Sequence, residues 1–136
     1  MGLDMYLSRI ATPTHQMYVD AYDDKLTGVL YWRKVNALHK FFCDRGILEA
    51  GGKENVGRYI ISRNDLIDLV FVMKRILVDN SVKLAEETLP TESGFFFGST
   101  EYDEFYFNDL KDAVTLVSAE LDAVPDQEVW FYEASW

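Results

Sequence analysis

The stretch Gly2-Leu3-Asp4-Met5-Tyr6-Leu7-Ser8, "GLDMYLS", sets apolar Leu3, Met5 and Leu7 in alternation with Asp4, Tyr6 and Ser8. Successive side chains of a strand point to opposite faces, so the alternation predicts a half-buried first strand. At the far end of the chain, "EVWFYEAS" (128–135) reads as a final strand. Strands at both ends, helical patterns between them and weak hairpin signals predict an α+β fold. We expect a single domain over residues 1–136, with a small, mostly antiparallel sheet packed by two to three helices and the first and last strands in one sheet.

Working inward, "ATPTHQ" (11–16) is expected to be a loop and "MYVDAY" (17–22) a strand, with turns at Asp23-Asp24 and Thr27-Gly28. From about Leu30 to Asp44, Trp32, Val35, Leu38 or His39, and Phe42 recur at helical spacing, with Gly46 as the C-cap. "EAGGKENVG" (49–57) is polar and glycine-rich, which predicts a surface loop, and "RYII" (58–61) a short strand. Ser62 with Asp65 three residues later forms a capping-box pattern ahead of Leu66, Leu69, Val70, Met73, Ile76 and Leu77, one apolar helix face. "NSVKLAEETLP" (80–90) adds a short helix ended by Pro90. A further helix, capped by Thr100 with Asp103, runs through Tyr106, Leu110, Ala113 or Val114, Val117 and Leu121 to Val124-Pro125.

Composition narrows the function classes. Hydrophobic residues make up 49% of the chain, so the net charge of −10 sits on a folded body rather than a disordered one. Residues 1–85 carry 12 basic and 10 acidic side chains, whereas residues 86–136 carry Lys111 against 13 acids. Direct nucleic-acid binding needs clustered cations and is disfavoured; a basic protein surface would be attracted instead. No apolar run approaches the roughly 18 residues of a membrane span. The start of the chain lacks the basic and apolar regions of a signal peptide, and Tyr6 stands where a myristoylation site has Ser or Thr. Cys43, the sole cysteine, has no partner for an internal disulfide. A cytoplasmic protein without a membrane partner is expected.

Two segments carry candidate binding residues. In "YWRKVNALHKFF" (31–42), helical spacing would place Trp32, Asn36 and His39 on one stripe and Arg33, Asn36 and Lys40 on its neighbour, with Lys34 adding charge. Cations for phosphate, an amide and an imidazole for hydrogen bonds and an aromatic for stacking suit a small anionic, nucleotide-like ligand. The plainer reading is a core helix with a solvated basic face. In "SGFFFGSTEYDEFYF" (93–107), Phe96 and Tyr102 offer stacking faces, and Ser99 and Thr100 offer hydroxyl or backbone donors before a helix. A capped helix beside an apolar corner explains the same residues, and the Gly-Lys-Ser/Thr ending of a phosphate loop is absent.

No catalytic residue, metal ligand or cofactor is assigned. Ser99 lies in "GST", outside a Gly-x-Ser-x-Gly elbow. His39 with Cys43 lacks the further ligands of a structural metal site. Acids such as Asp103, Glu104 and Asp109 are ordinary on a helix surface. A small hydrolase using His39 as general base with Asp103 or Glu104 stands as an alternative, as does an acidic protein-binding face over residues 86–136 that inhibits a basic protein, with imitation of DNA as one route.

"MGLDMYL", "YWRKVNALHKFF" and "LPTESGFFFGSTEYDEFYF", in this order, resemble a family of small uncharacterised proteins encoded by bacteriophages and prophages. The resemblance spans residues 1 to about 110. It implies context rather than chemistry: a small accessory protein in the host cytosol, of the kind that counters host defence by sequestering a nucleotide-like signal or blocking a host protein.

Overall fold

The computed structural model describes residues 2–10, 26–48 and 57–136. Its elements are β1 (Asp4–Ile10), β2 (Leu26–Arg33), α1 (Asn36–Arg45), β3 (Ile47–Leu48), β4 (Arg58–Ser62), α2 (Arg63–Asp79), α3 (Val82–Thr88), α4 (Glu104–Ala123) and β5 (Val129–Ser135). The strands form one antiparallel sheet in the order β2-β1-β5-β4-β3. The first and last strands are neighbours, from Asp4 opposite Ser135 to Ser8 opposite Phe131. The fold is therefore the expected α+β domain.

Register explains which face is buried. Leu30, Leu7, Tyr132 and Tyr59 lie in one row across four strands. Residues opposite each other in an antiparallel pair share a face, and this row joins a core with Leu38 and Phe42 of α1, Leu66, Leu69, Met73 and Ile76 of α2, and Leu110, Ala113 and Val117 of α4. The opposite face carries the cross-strand pair Tyr6–Tyr31, 5.2 Å between rings, and the Arg58–Glu133 ion pair.

Helix ends follow local chemistry. Ser62 accepts from the Asp65 amide at 3.1 Å, and Asp65 accepts from the Ser62 amide at 3.0 Å, a complete capping box for α2. Arg63, in the first turn of α2, donates to the carbonyls of Leu121, Val124 and Gln127 and so satisfies the end of α4. Buried Glu120 accepts from both Arg9 Nε and Trp130 Nε1 at 2.8 Å, pinning α4 to β1 and β5.

Three expectations change. The helix foreseen from Leu30 begins at Asn36, because Leu26–Arg33 finds backbone partners on β1 and becomes a strand. Trp32, Val35, Leu38 and Phe42 are all buried as their spacing implied, but the first two reach the core from the strand and the turn. The turn foreseen at Thr27-Gly28 is strand: Leu7 faces Leu30 and Ser8 faces Gly28, leaving Val29 as the extra residue of a bulge. The cap of α4 is Asp103, whose carboxylate accepts from the Phe105 and Tyr106 amides, in place of Thr100. The expected loop at 11–16 and strand at 17–22, the turn at Asp23-Asp24, and the loop at 49–57 up to Val56 lie outside the described residues.

Candidate ligand cleft

Two chain segments cross at the end of the sheet and are held by backbone bonds to Leu3. Its carbonyl accepts from the Lys34 amide at 2.7 Å, and its amide donates to the Phe96 carbonyl at 3.0 Å. Lys34 turns the chain from β2 into α1 with φ 58°, and Phe96 and Gly98 turn the second segment with φ 64° and 88°. A side chain in this left-handed region costs roughly 1–2 kcal/mol, so Lys34 and Phe96 are strained by their positions. Gly98 avoids that cost, and a Cβ there would meet Lys34 Cβ at 3.1 Å.

Asn36 locks the crossing. Its Nδ2 donates to the carbonyls of Phe97 at 3.1 Å and Ser99 at 2.9 Å, and its Oδ1 accepts from the Glu92 amide at 2.9 Å. Tyr102 adds a second tie, its hydroxyl accepting from the Thr91 amide at 3.0 Å, while Thr91 Oγ1 donates to the Thr100 carbonyl. Tyr106 donates to the Leu89 carbonyl at 2.8 Å, so α4 is fastened to the same crossing.

The crossing and the start of α4 enclose a cleft of about 250 Å³. Arg33 and Lys34 bring two cations from the β2–α1 corner. Ser99 lies beside them, and Glu101, Asp103, Phe105 and Asp109 come from the approach to α4 and its first turns. Burial first, then the charges of Asp112 and Asp103, push the Asp109 carboxyl above its ordinary range. Gly2 contributes closeness: a Cβ there would stand 2.7 Å from Arg33 Nη2 and 3.0 Å from Lys34 Cε, so the bare backbone lets both cationic side chains pack.

Of the residues read from the sequence, the cleft gathers Arg33, Lys34, Asn36 and Ser99. The others lie elsewhere. Trp32 is in the core against Phe42, its Nε1 buried without a hydrogen-bond partner. His39 is 1% exposed, ringed by Phe97, Tyr132 and Trp136, with Nδ1 2.6 Å from the Tyr132 hydroxyl. Burial holds its pKa down to about 4. Lys40 pairs with Asp44 at 2.9 Å and faces a smaller hollow of about 110 Å³ beside Phe41 and Thr88. Phe96 is exposed against Phe95 at the turn. Thr100 contributes its carbonyl to Thr91, and Tyr102 spends its hydroxyl there too.

Glu101 and Phe105 line the cleft without having been among the ligand-binding residues expected from the sequence, and Asp109 joins them from among the acids weighed with Asp103 and Glu104. One local signal was present: Phe105 and Asp109 stand one helical turn apart on α4. Among the described residues no group of three His, Cys, Asp or Glu side chains is placed to hold a metal ion, and no helix is long and apolar enough to cross a membrane. No family model, curated protein or solved structure matches the chain.

Proposed function

We propose that the protein is a non-catalytic, phage-type accessory factor that binds and sequesters a small anionic, nucleotide-like ligand in this cleft. The observation that carries the reading is the meeting of Arg33, Lys34 and Ser99 at one opening built on strained, hydrogen-bonded backbone. Strain of this kind concentrates where geometry serves a ligand, and two adjacent cations match a phosphate. The resemblance to bacteriophage and prophage proteins supports a counter-defence role for such binding. The hydrolase alternative loses support, because the enclosed His39 ring does not line the cleft.

Calorimetry against nucleoside mono-, di- and triphosphates and cyclic dinucleotides tests the proposal. Wild type binds at least one member, and Arg33→Ala weakens that binding by roughly 10- to 150-fold, the value of a charge-assisted contact. Ligand recovered intact after denaturation supports sequestration, whereas turnover refutes the non-catalytic reading. Absence of binding across the panel removes the proposal.

A second reading rests on a separate observation. Phe105 is 68% exposed and stands among exposed Glu101, Asp103, Glu104 and Asp112, an aromatic anchor within an acidic surface. This favours a basic host protein as an alternative partner. Reversing Glu104 and Asp112 to Lys then slows association with basic proteins most at low salt; unchanged rates would reject this surface.

A further inference from the structure

The cleft separates its charges by origin. Arg33 and Lys34 come from the β2–α1 corner, whereas Glu101, Asp103 and Asp109 come from the approach to α4 and its first turns. A ligand that is anionic throughout satisfies the first group and is repelled by the second. One that carries an anionic group at one end and N–H donors at the other satisfies both.

Asp109 sharpens this requirement. It is half-buried, and the neighbouring charges acting on it include the carboxylates of Asp103 and Asp112. An ionised carboxylate accepts hydrogen bonds and donates none, and it takes two parallel N–H donors well. Among purines, guanine presents such a pair, N1–H beside the 2-amino group. Adenine presents one amino donor beside the N1 lone pair, which a carboxylate repels. Phe105, exposed and lining the cleft, supplies an aromatic face for a flat base.

Resting on the cleft-binding reading above, we infer that the ligand is a guanine nucleotide, with its phosphate at Arg33 and Lys34, its N–H edge on Asp109 and its ring against Phe105.

The test compares GMP, IMP and AMP by calorimetry at neutral pH, since the three share a phosphate and differ in the donor edge. The expected order is GMP tightest, IMP intermediate and AMP weakest, with GMP ahead of AMP on the order of 10- to 100-fold. Asp109→Asn, checked for folding by circular dichroism, is expected to keep phosphate-dependent binding and lose the preference. Equal affinities, or AMP tighter than GMP, overturn the guanine assignment while leaving cleft binding intact. A GMP preference that survives Asp109→Asn also overturns it. Failure of all three to bind removes the guanine assignment, and the wider panel then decides cleft binding by itself.

Discussion

The side-chain amide of Asn36 donates to the carbonyl of Ser99 across 2.9 Å and 63 residues of chain. With its bonds to Phe97 and Glu92, this one side chain holds the 92–99 segment against the first turn of α1. Asn36 is 3% exposed, so water has little access to replace what it provides. Asn36→Ala is expected to destabilise the fold by about 2–3 kcal/mol, from backbone groups left unsatisfied. Urea unfolding measures this, and a loss below about 0.5 kcal/mol, the range of neutral surface changes, would contradict the role.

Lys34 offers a test that separates stability from binding. It sits at φ 58°, where glycine carries no Cβ penalty. Lys34→Gly is expected to leave stability unchanged or raise it by up to about 1 kcal/mol, while weakening nucleotide binding through the lost cation. Gly98→Ala, at φ 88° and close to Lys34 Cβ, is expected to cost about 1–2 kcal/mol. A destabilised Lys34→Gly or a neutral Gly98→Ala would show that these backbone angles are not enforced.

Acid stability should report His39. Burial lowers its pKa from 6.5 to about 4, so on acidification the unfolded chain takes up this proton before the folded one. Stability is whole above about pH 6.5, falls as pH drops towards 4 and then levels, for a contribution of up to about 3 kcal/mol. In His39→Phe this component should vanish, whatever the variant's stability at neutral pH. Parallel pH profiles for the two proteins would refute the assignment.

Glu120 ties α4 to β1 and β5, and its loss leaves Arg9 and the buried Trp130 Nε1 without this acceptor. Glu120→Ala is expected to cost about 2–3 kcal/mol, from the lost charge-assisted bonds and the buried Trp130 Nε1 left unsatisfied. Reversible thermal or denaturant unfolding gives the value; a change under 1 kcal/mol would mean that the pair is dispensable.

The sheet and helices were legible because alternation in "GLDMYLS", the Ser62–Asp65 box and the Leu66–Ile76 stripe are local patterns that tertiary packing reinforced. Residues 30–33 misled for a physical reason. Trp32 and Val35 are buried in either conformation, so their spacing cannot choose between a helix and a strand leading into a turn. The candidate site was half legible. Arg33, Lys34, Asn36 and Ser99 share a cleft because Asn36 bridges segments distant in sequence, and such a bond leaves no local spacing. His39 and Lys40 are not among the residues lining that opening, and the carboxylates near the start of α4 reach it through long-range ties, among them Tyr102 to Thr91 and Tyr106 to Leu89.

Under the proposed function, one cleft, at the β2–α1 corner and the start of α4, takes the nucleotide. Amide chemical-shift mapping of the isotope-labelled chain during titration with GMP tests it most directly. Progressive, saturable shifts are expected at Lys34, Asn36, Gly98, Ser99 and Phe105, with little change at the exposed α2 residues Ile67, Phe71 and Val78. Shifts confined to that α2 face, or no saturable shifts with GMP or any nucleotide that calorimetry finds to bind, would contradict it.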